Sequence, residues 1–155
     1  MTIGAICNRE VVVAHKDTAI VEAAKLMREF HVGNLVIVTE ENNKRKPIGI
    51  LTDRDLVLEI VAEGLSQNAV TAGDVMSDDI VTGNEGDSIW GTLQRMRGKG
   101  IRRLPVVDKE GYLVGLLTMD DLLELFAAEL VDLSKIITRE QDREKTVRKC
   151  ARDVA

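Results

Sequence analysis

The apolar positions of this chain follow two periods, one typical of buried strands and one typical of helices with a single core-facing side. Residues 34–38 (NLVIV) and 103–107 (RLPVV) are nearly continuous apolar runs, which predict buried strands. Apolar side chains at helical spacing predict a helix before the first of these strands; they are Ile20, Ala23, Ala24, Met27 and Phe30. The hydrophobic pattern therefore alternates between strand and helix.

Local signals give each helix and strand its expected place. Short β-branched runs at 11–13 and 80–82 predict strands, and Asp17-Thr18 and Asp87-Ser88 are good N-cap residues for the helices that follow. Asn42-Asn43 and Glu110-Gly111 predict polar hairpin turns before a third strand, IGIL or LVGLL. A last helix begins at the threonine of GILT or GLLT. The order is β-α-β-β-α, found twice.

The chain is a tandem duplication. An offset of 69 aligns residues 4–38 with 73–107, and an offset of 66 aligns GILTDRD (49–55) with GLLTMDD (115–121); a longer loop in the first copy accounts for the change. We therefore predict an α+β fold of two β-α-β-β-α repeats, related by a pseudo-twofold axis and packed through their sheets. The expected boundaries are 2–63 for repeat one, 64–72 for a linker, 73–131 for repeat two and 132–155 for a charged helical tail.

Composition excludes some classes of function. The 155 residues carry a net charge of −5 and only 3% aromatic residues, which argues against nucleic acid as a partner. No apolar run reaches membrane-spanning length and the N-terminus lacks signal-peptide features, so we expect a cytoplasmic protein without a membrane partner. Residues 56–62 and 122–131 are apolar nearly all round, which favours a homodimer.

The repeated Thr-x-x-Asp allows two interpretations. As a capping box, the threonine and aspartate would only satisfy free N–H groups at the start of their own helix. Alternatively, the same helix start presents a hydroxyl and an acceptor-only carboxylate, which suits the two neighbouring hydroxyls of a ribose. The sequence leaves both interpretations open.

The duplicated unit, with GxxTxxD closing each copy and MRGKGIRRLPVVD in the second, resembles the CBS-domain pair, or Bateman module, of the stand-alone bacterial or archaeal type. The resemblance covers about residues 2–131. It implies a regulatory, signal-transducing, non-catalytic protein whose clefts bind an adenosine ligand. We expect AMP, ADP or ATP, with S-adenosylmethionine or NAD(H) less favoured.

The resemblance also implies roles for individual residues. Asp55 and Asp121 would hold ribose hydroxyls, and Thr52 and Thr118 would contact the ribose or α-phosphate. The adenine would be enclosed by segments of both repeats that include Val12, Gly33, Asn34, Leu35, Val81, Thr82, Ile101, Leu104 and Pro105. Arg54 and Asp120 lie inside the two TxxD passages and point to opposite charge preferences at the two helix starts.

Arg102 and Arg103 lie where some nucleotide-binding members of this family place phosphate ligands. Guanidinium groups make strong charge-assisted bonds to phosphate. Repeat one has Gly33-Asn34 at the matching positions, so we expect unequal clefts, with no phosphate contact from repeat one. In its sharper form, this hypothesis predicts that Asp121→Ala abolishes a ligand response that Asp55→Ala only weakens.

No catalytic or metal-binding pattern is found in the sequence. His15 and His31 have no cysteine or second histidine nearby, and no nucleophile motif such as GxSxG occurs. Two functions therefore remain: an adenine-nucleotide sensor that acts on a separate effector protein, or a ligand-free dimerisation adaptor whose TxxD passages only cap helices.

Overall fold

The computed structural model describes the backbone of residues 1–153 and the side chains of residues 1–146. It divides into two compact units, Met1–Thr118 and Met119–Ala155. The side chain of Cys7 is buried, and the side chain of Cys150 lies outside the described residues.

Repeat one forms a three-stranded sheet of order β1-β2-β3. Strand β1 (Val13–Ala14) runs parallel to β2 (Asn34–Glu41), which pairs antiparallel with β3 (Lys44–Thr52). Helix α1 (Ile20–Glu29) connects β1 to β2, and α2 (Asp53–Asp55) continues as a π-helical segment (Leu56–Val61). Asn42 and Asn43 both have positive φ, so they form the predicted two-residue hairpin turn.

Repeat two builds a matching sheet of order β4-β5-β6. Its strands are β4 (Gly83–Asn84), β5 (Arg103–Val107) and β6 (Leu113–Thr118), and helix α4 (Ile89–Lys99) lies between β4 and β5. Parallel β4–β5 and antiparallel β5–β6 pairing repeat the arrangement of the first sheet. The predicted fold class, two α+β repeats, is confirmed.

Two local predictions are wrong. The short strands lie later than the β-branched runs at 11–13 and 80–82, because pairing to β2 and β5 begins only at Val13 and Gly83. Helix α1 starts after Ala19, which makes no side-chain cap; the hydroxyl of Thr18 instead accepts from the backbone N of His15 (3.0 Å). Ser88 does cap α4, accepting from Gly91 N at 3.2 Å.

The core of the first unit has two parts that position the functional residues. One cluster lies between α1 and the first sheet and includes Ala23, Leu35, Ile37 and Leu51, each fully buried. A second cluster, built on Val36, Val38 and Leu116, joins the two sheets. The repeats therefore pack through their sheets, and their hairpin tips are joined by a Lys44–Glu110 ion pair at 2.5 Å.

The first residues of each repeat pack against the other repeat. Gly4 N donates to Glu85 O (3.0 Å), and Asn8 pairs with Leu116 in a β-bridge. The corresponding residues of repeat two pack against repeat one: Gly73 N donates to Lys16 O (2.8 Å), and Ser77 forms a β-bridge with Ile50. This exchange brings residues from the start of one repeat beside the last strand of the other.

The predicted linker, 64–72, is partly structured. Gly64 has φ +66° and ends the π-helical segment, a backbone conformation that favours glycine. A 3₁₀ turn (Gln67–Ala69) and helix α3 (Ala72–Val75) follow. The chain between the two repeats therefore has a defined conformation up to Ser77, which forms a β-bridge with Ile50.

The second unit is a single helix, α5 (Met119–Asp153), which starts directly after the Thr118 of the second TxxD passage. It contains the last predicted helix of repeat two and continues through the charged segment as far as residue 153. Among the described residues, no helix has the length and apolar character needed to cross a membrane.

Candidate adenosine-ligand clefts

The first TxxD passage forms a complete capping box. Asp55 Oδ2 accepts from the backbone N of Thr52 (2.8 Å) and from its hydroxyl (2.7 Å), while Asp55 N donates to Thr52 Oγ1 (3.2 Å). The first passage therefore does form the predicted capping box. Asp55 Oδ1 accepts no hydrogen bond from any residue that the structure describes, so one carboxylate oxygen keeps both lone pairs for another donor.

A third TxxD, Thr71–Asp74, provides an internal comparison. Asp74 Oδ2 also accepts from the backbone N (2.8 Å) and the hydroxyl (2.7 Å) of its threonine. The backbone hydrogen bond, followed by the hydroxyl bond, lowers the pKa of Asp74 below its ordinary value. This box is exposed and lines none of the clefts described below, so the pattern at this position serves as a cap.

Thr52 and Asp55 line a cleft of ≈ 230 Å³ that we call cleft one. Its remaining lining comes from repeat two and from the exchanged segment; besides Ile50, the residues are Ser77, Asp79, Ile80, Val81, Ile101, Arg102 and Arg103. Cleft one thus brings together six predicted site residues: Thr52, Asp55, Val81, Ile101, Arg102 and Arg103.

The two arginines share this cleft with the acid of repeat one. Arg103 begins β5 and Arg102 directly precedes it, and neither guanidinium forms a hydrogen bond or ion pair with any described residue. Asp55 lines the same cleft as the two arginines, whereas Asp121 does not line it. The reason is the exchange of segments, which places the end of β3 beside residues 77–81.

Several predicted site residues do not line cleft one. Leu35, Leu104 and Pro105 are fully buried in the core, so their side chains stabilise the sheets. Asn34 is also buried and pairs with Thr52 across β2 and β3, and Gly33 O accepts from Asp53 N (3.1 Å). Gly33 and Asn34 thus lie beside the start of α2, outside the lining of cleft one.

The remaining predicted residues lie nearby in sequence but outside the lining. Arg54 is exposed on α2, and Thr82 is half-buried just before β4. Thr118 ends β6, and Asp120 and Asp121 lie in the first turn of α5. The second passage therefore has the same strand-to-helix position as the first.

A second cleft, of ≈ 570 Å³, lies on the repeat-one side of the first unit. Cleft two is lined by Val12, as predicted, and by Asn8, Arg9, Glu10, Val11, Val13, Leu26, Phe30, Val32 and Arg45. An offset of 69 relates five of these positions to the lining of cleft one: 8, 10, 11, 12 and 32 match 77, 79, 80, 81 and 101. The two clefts are thus repeats of one site.

Sequence reasoning missed Ile50, Ser77 and Asp79 in cleft one. In cleft two it missed six lining residues, which are Asn8, Arg9, Glu10, Leu26, Phe30 and Arg45. The duplication itself held a signal for Ser77 and Asp79, because both lie just before a predicted lining strand, as Asn8 and Glu10 do. Arg45 carried no such signal, since it belongs to the hairpin insertion that breaks the repeat. Among the described residues, no group of three His, Cys, Asp or Glu side chains could hold a metal ion.

Comparison with known proteins places this architecture in a family. The family model for the CBS domain matches the chain twice, over residues 3–62 and 72–128. The chain belongs to the CBS-domain family. Both matches fall on the two β-α-β-β-α repeats, so the resemblance seen in the GxxTxxD passages extends over each whole repeat.

Curated relatives of this CBS-domain protein cover most of both repeats. An uncharacterised protein of Methanopyrus kandleri is 40% identical over 125 residues, which are 81% of this chain and 62% of that relative. The chain therefore spans less than two thirds of that relative's length. The CBS domain-containing protein YhcV of Bacillus subtilis is 36% identical over 113 residues, 73% of this chain and 76% of that protein.

Solved structures share the fold. The CBS domain pair of protein MJ0100, in complex with 5-methylthioadenosine and S-adenosyl-L-methionine, superposes with a TM-score of 0.70 and 27% identity, over 81% of this chain and 99% of that one. Both of its ligands are adenosine compounds. A CBS-domain pair of this fold is thus known to bind adenosine-containing ligands.

Proposed function

We propose that this CBS-domain protein is a regulatory module that binds an adenosine phosphate (AMP, ADP or ATP) in cleft one and does not itself catalyse a reaction. The observation that carries the proposal is the meeting of Thr52 and Asp55 of one repeat with Arg102 and Arg103 of the other. An acceptor-only carboxylate and two guanidiniums in one cleft match a sugar and a phosphate.

Asp55 would hold the ribose through its second oxygen. The capping box occupies Oδ2 but leaves Oδ1, whose two lone pairs can accept hydrogen bonds from both ribose hydroxyls. Because the hydroxyl of Thr52 donates its hydrogen to Asp55, Thr52 can only accept a hydrogen bond from a ligand and cannot donate to a phosphate oxygen. Capping and ligand binding are therefore compatible at one aspartate.

Arg102 and Arg103 would hold the phosphate. Neither is engaged by an acid of the described chain, so both are available to a ligand, and each charge-assisted hydrogen bond contributes about 1.5–3 kcal/mol. Ile80, Val81 and Ile101 supply apolar surface in the same cleft for the base. This arrangement favours AMP, ADP or ATP over the sulfonium or thioether ligands held by the MJ0100 CBS pair.

Regulation would follow from the composition of cleft one. Its lining comes from both repeats, so a ligand that binds one arrangement of the repeats more tightly shifts the population toward it. We propose that a homodimer carries this change to a separate effector protein. The exposed apolar side chains of the second unit, among them Leu130 and Ile137, support the dimer.

The deciding experiment is thermal-shift and calorimetric titration with AMP, ADP, ATP, NADH, S-adenosylmethionine and adenosine. At 100 times its dissociation constant a ligand adds about 2.7 kcal/mol to the free energy of unfolding, or roughly 5–11 °C in Tm. Asp55→Ala is expected to abolish the response, and Arg103→Gln to weaken binding of phosphate-bearing ligands without affecting adenosine.

Asp74→Ala is the matched control, because it removes the same two hydrogen bonds from a capping box outside the clefts. Both alanine variants are expected to lose stability, but only Asp55→Ala should lose ligand binding. No response of the wild-type protein to any of these ligands, or equal binding by the two alanine variants, would contradict the proposal.

A second candidate is the ligand-free adaptor, which is favoured by the complete capping box at Thr52. If Thr52 and Asp55 serve only their helix, Thr52→Ala lowers the free energy of unfolding by about 0.5–2 kcal/mol, to the same extent with and without nucleotide. Mass spectrometry of the denatured, freshly purified protein separates the two candidates, since a sensor of useful affinity retains nucleotide and an adaptor retains none.

A further inference from the structure

Repeat two carries a concentration of positive charge that repeat one lacks. Residues 88–107 contain no acidic side chain, and their basic residues are Arg95, Arg97, Lys99, Arg102 and Arg103. The equivalent residues of repeat one, 19–38, contain two acidic and two basic side chains, whose charges balance. Phosphate binding in cleft one uses Arg102 and Arg103, which leaves the three cations of α4 without a role.

The duplication indicates which cations of α4 lie on the side of cleft one. Leu26 and Phe30 of α1 line cleft two. The offset of 69 places Arg95 and Lys99 at the equivalent positions of α4. Five other positions of the two cleft linings are related by the same offset. The helix face that contacts the cleft is therefore apolar in repeat one and basic in repeat two.

Of the two cations on this face, Arg95 is held by the protein and Lys99 is available. The guanidinium of Arg95 donates to Asp87 Oδ2 at 2.7 Å. Lys99 is the last residue of α4, and its side chain is exposed. It forms no hydrogen bond or ion pair with any described residue. Lys99 therefore keeps its charge free for a ligand.

Lys99 lies within reach of a phosphate held in cleft one. Helix α4 ends at Gly100, whose φ of +67° turns the chain, and Ile101 and Arg102 directly after it line the cleft. Three residues span at most roughly 10–11 Å, and the lysine ammonium is carried by a flexible four-carbon stem. The ammonium can therefore approach a phosphate that the guanidinium of Arg102 binds.

The length of the phosphate chain decides how many cations a nucleotide needs. The lining of cleft one is itself electrically balanced, with two acids and two arginines. A single phosphate is satisfied by the arginines, since each guanidinium can bind a phosphate through two parallel N–H donors. Each further phosphate adds negative charge that this lining does not offset. A third cation at the end of α4 would therefore attract the longer chain selectively.

We infer that Lys99 is a specificity-determining residue of cleft one, where it joins Arg102 and Arg103 in binding a polyphosphate chain and selects nucleoside triphosphates over monophosphates. The inference rests on the proposed function and narrows its ligand from AMP, ADP or ATP to ATP. The equivalent residue of repeat one is Phe30, so the selection is confined to cleft one.

Calorimetric titration of the full chain with ATP and with AMP, at low ionic strength and without divalent cations, tests this inference. Wild-type protein is expected to bind ATP more tightly than AMP, and loss of the signal in Asp55→Ala assigns it to cleft one. Lys99→Gln should weaken ATP binding by roughly tenfold, the equivalent of one charge-assisted hydrogen bond, and leave AMP binding unchanged. Lys99→Arg, which keeps the charge, should retain the preference for ATP.

Arg97→Gln is the matched control, because Arg97 and Lys99 are both basic residues of the last turn of α4 and both stabilise the helix C-terminus. Arg97 is equivalent to Arg28, which does not line cleft two. Arg97→Gln should therefore leave the ratio of ATP affinity to AMP affinity unchanged. An equal fall of this ratio in both glutamine variants would show a general charge effect and overturn the role of Lys99.

Asp55→Ala separates this inference from the proposed function. If Asp55→Ala abolishes binding but Lys99→Gln keeps the wild-type ratio of affinities, the proposed function stands and the inference is wrong. The same holds if wild-type protein binds AMP at least as tightly as ATP. If Lys99→Gln weakens ATP binding selectively and Asp55→Ala leaves it intact, Lys99 keeps its role and the role of Asp55 is wrong. Binding of neither nucleotide would contradict both.

Discussion

At the scale of single residues, one carboxylate can perform two tasks. Asp55 uses Oδ2 to cap α2 and keeps Oδ1 for another donor, whereas Asp74 makes the same cap away from the clefts. The TxxD pattern alone therefore does not distinguish a cap from a binding site. The difference lies in the surroundings, because only Asp55 lines a cleft that also contains unpaired arginines.

The acid stability of the protein should depend partly on Asp87. Arg95 donates to its carboxylate at 2.7 Å and holds the pKa of Asp87 below the ordinary value of 3.8, with a smaller opposing effect from burial. The stabilisation is present above about pH 3.8 and is lost as the pH falls through the lower folded pKa. The Tm difference between wild type and Asp87→Asn should therefore shrink when the pH is lowered from 6 to below 3.8, and a constant difference would contradict this.

At the scale of elements, the glycine of each GxxT passage is required by the exchanged segments. A Cβ at Gly49 would lie 2.9 Å from Ser77 O and 2.5 Å from Met76 Sδ, and a Cβ at Gly115 would lie 3.0 Å from Asn8 O and 2.5 Å from Cys7 Sγ. Both contacts involve the segment that bridges to the last strand of the other repeat. The repeated glycine is thus a feature of packing between repeats and not of the ligand.

Gly49→Ala should destabilise the protein by about 1–3 kcal/mol, because the added methyl group forces the bridge between Ile50 and Ser77 apart. Gly98→Ala in α4 is the control: nothing lies within 4 Å of its Cβ position, and alanine favours a helix, so stability should rise by about 0.4–1 kcal/mol. Urea denaturation followed by circular dichroism measures both values. A neutral Gly49→Ala would show that the close approach is easily relieved.

At the scale of the whole molecule, the second unit presents an apolar stripe to solvent. Leu123, Leu130, Leu133 and Ile137 recur at spacings of three, four and seven residues, as in the seam of paired helices, and each is more than half exposed. A stripe of this kind is typical of a contact between protein chains. It supports the proposed homodimer independently of the clefts.

The double variant Leu130→Glu, Ile137→Glu should convert the proposed dimer to monomers, because it places two charges in the stripe. Ala128→Glu adds a charge on another face of the same helix and should leave the dimer intact. Light scattering coupled to size-exclusion chromatography gives the mass of each variant. A monomeric wild-type protein, or a double variant that remains dimeric, would exclude this stripe as the dimer contact.

The sequence by itself determined the duplication, the order of strands and helices, the hairpin turn at Asn42-Asn43 and the capping of α4 by Ser88. These features depend on hydrophobic period and on contacts between near neighbours in the chain, which a sequence records directly. The same local character explains why the Thr52–Asp55 capping box could be predicted, and why the start of α1 could not: Thr18 satisfies a turn instead of the helix.

Only the tertiary structure decided which residues meet. It placed Arg102 and Arg103 in the same cleft as Asp55, and it placed Arg45 of the hairpin insertion in the other cleft. The first result follows because the first residues of each repeat pack beside the last strand of the other repeat. The second follows because the side chain of Arg45 lies on the face of β3 that lines cleft two. Contacts of this kind depend on how the two repeats pack, and no local period in a sequence encodes them.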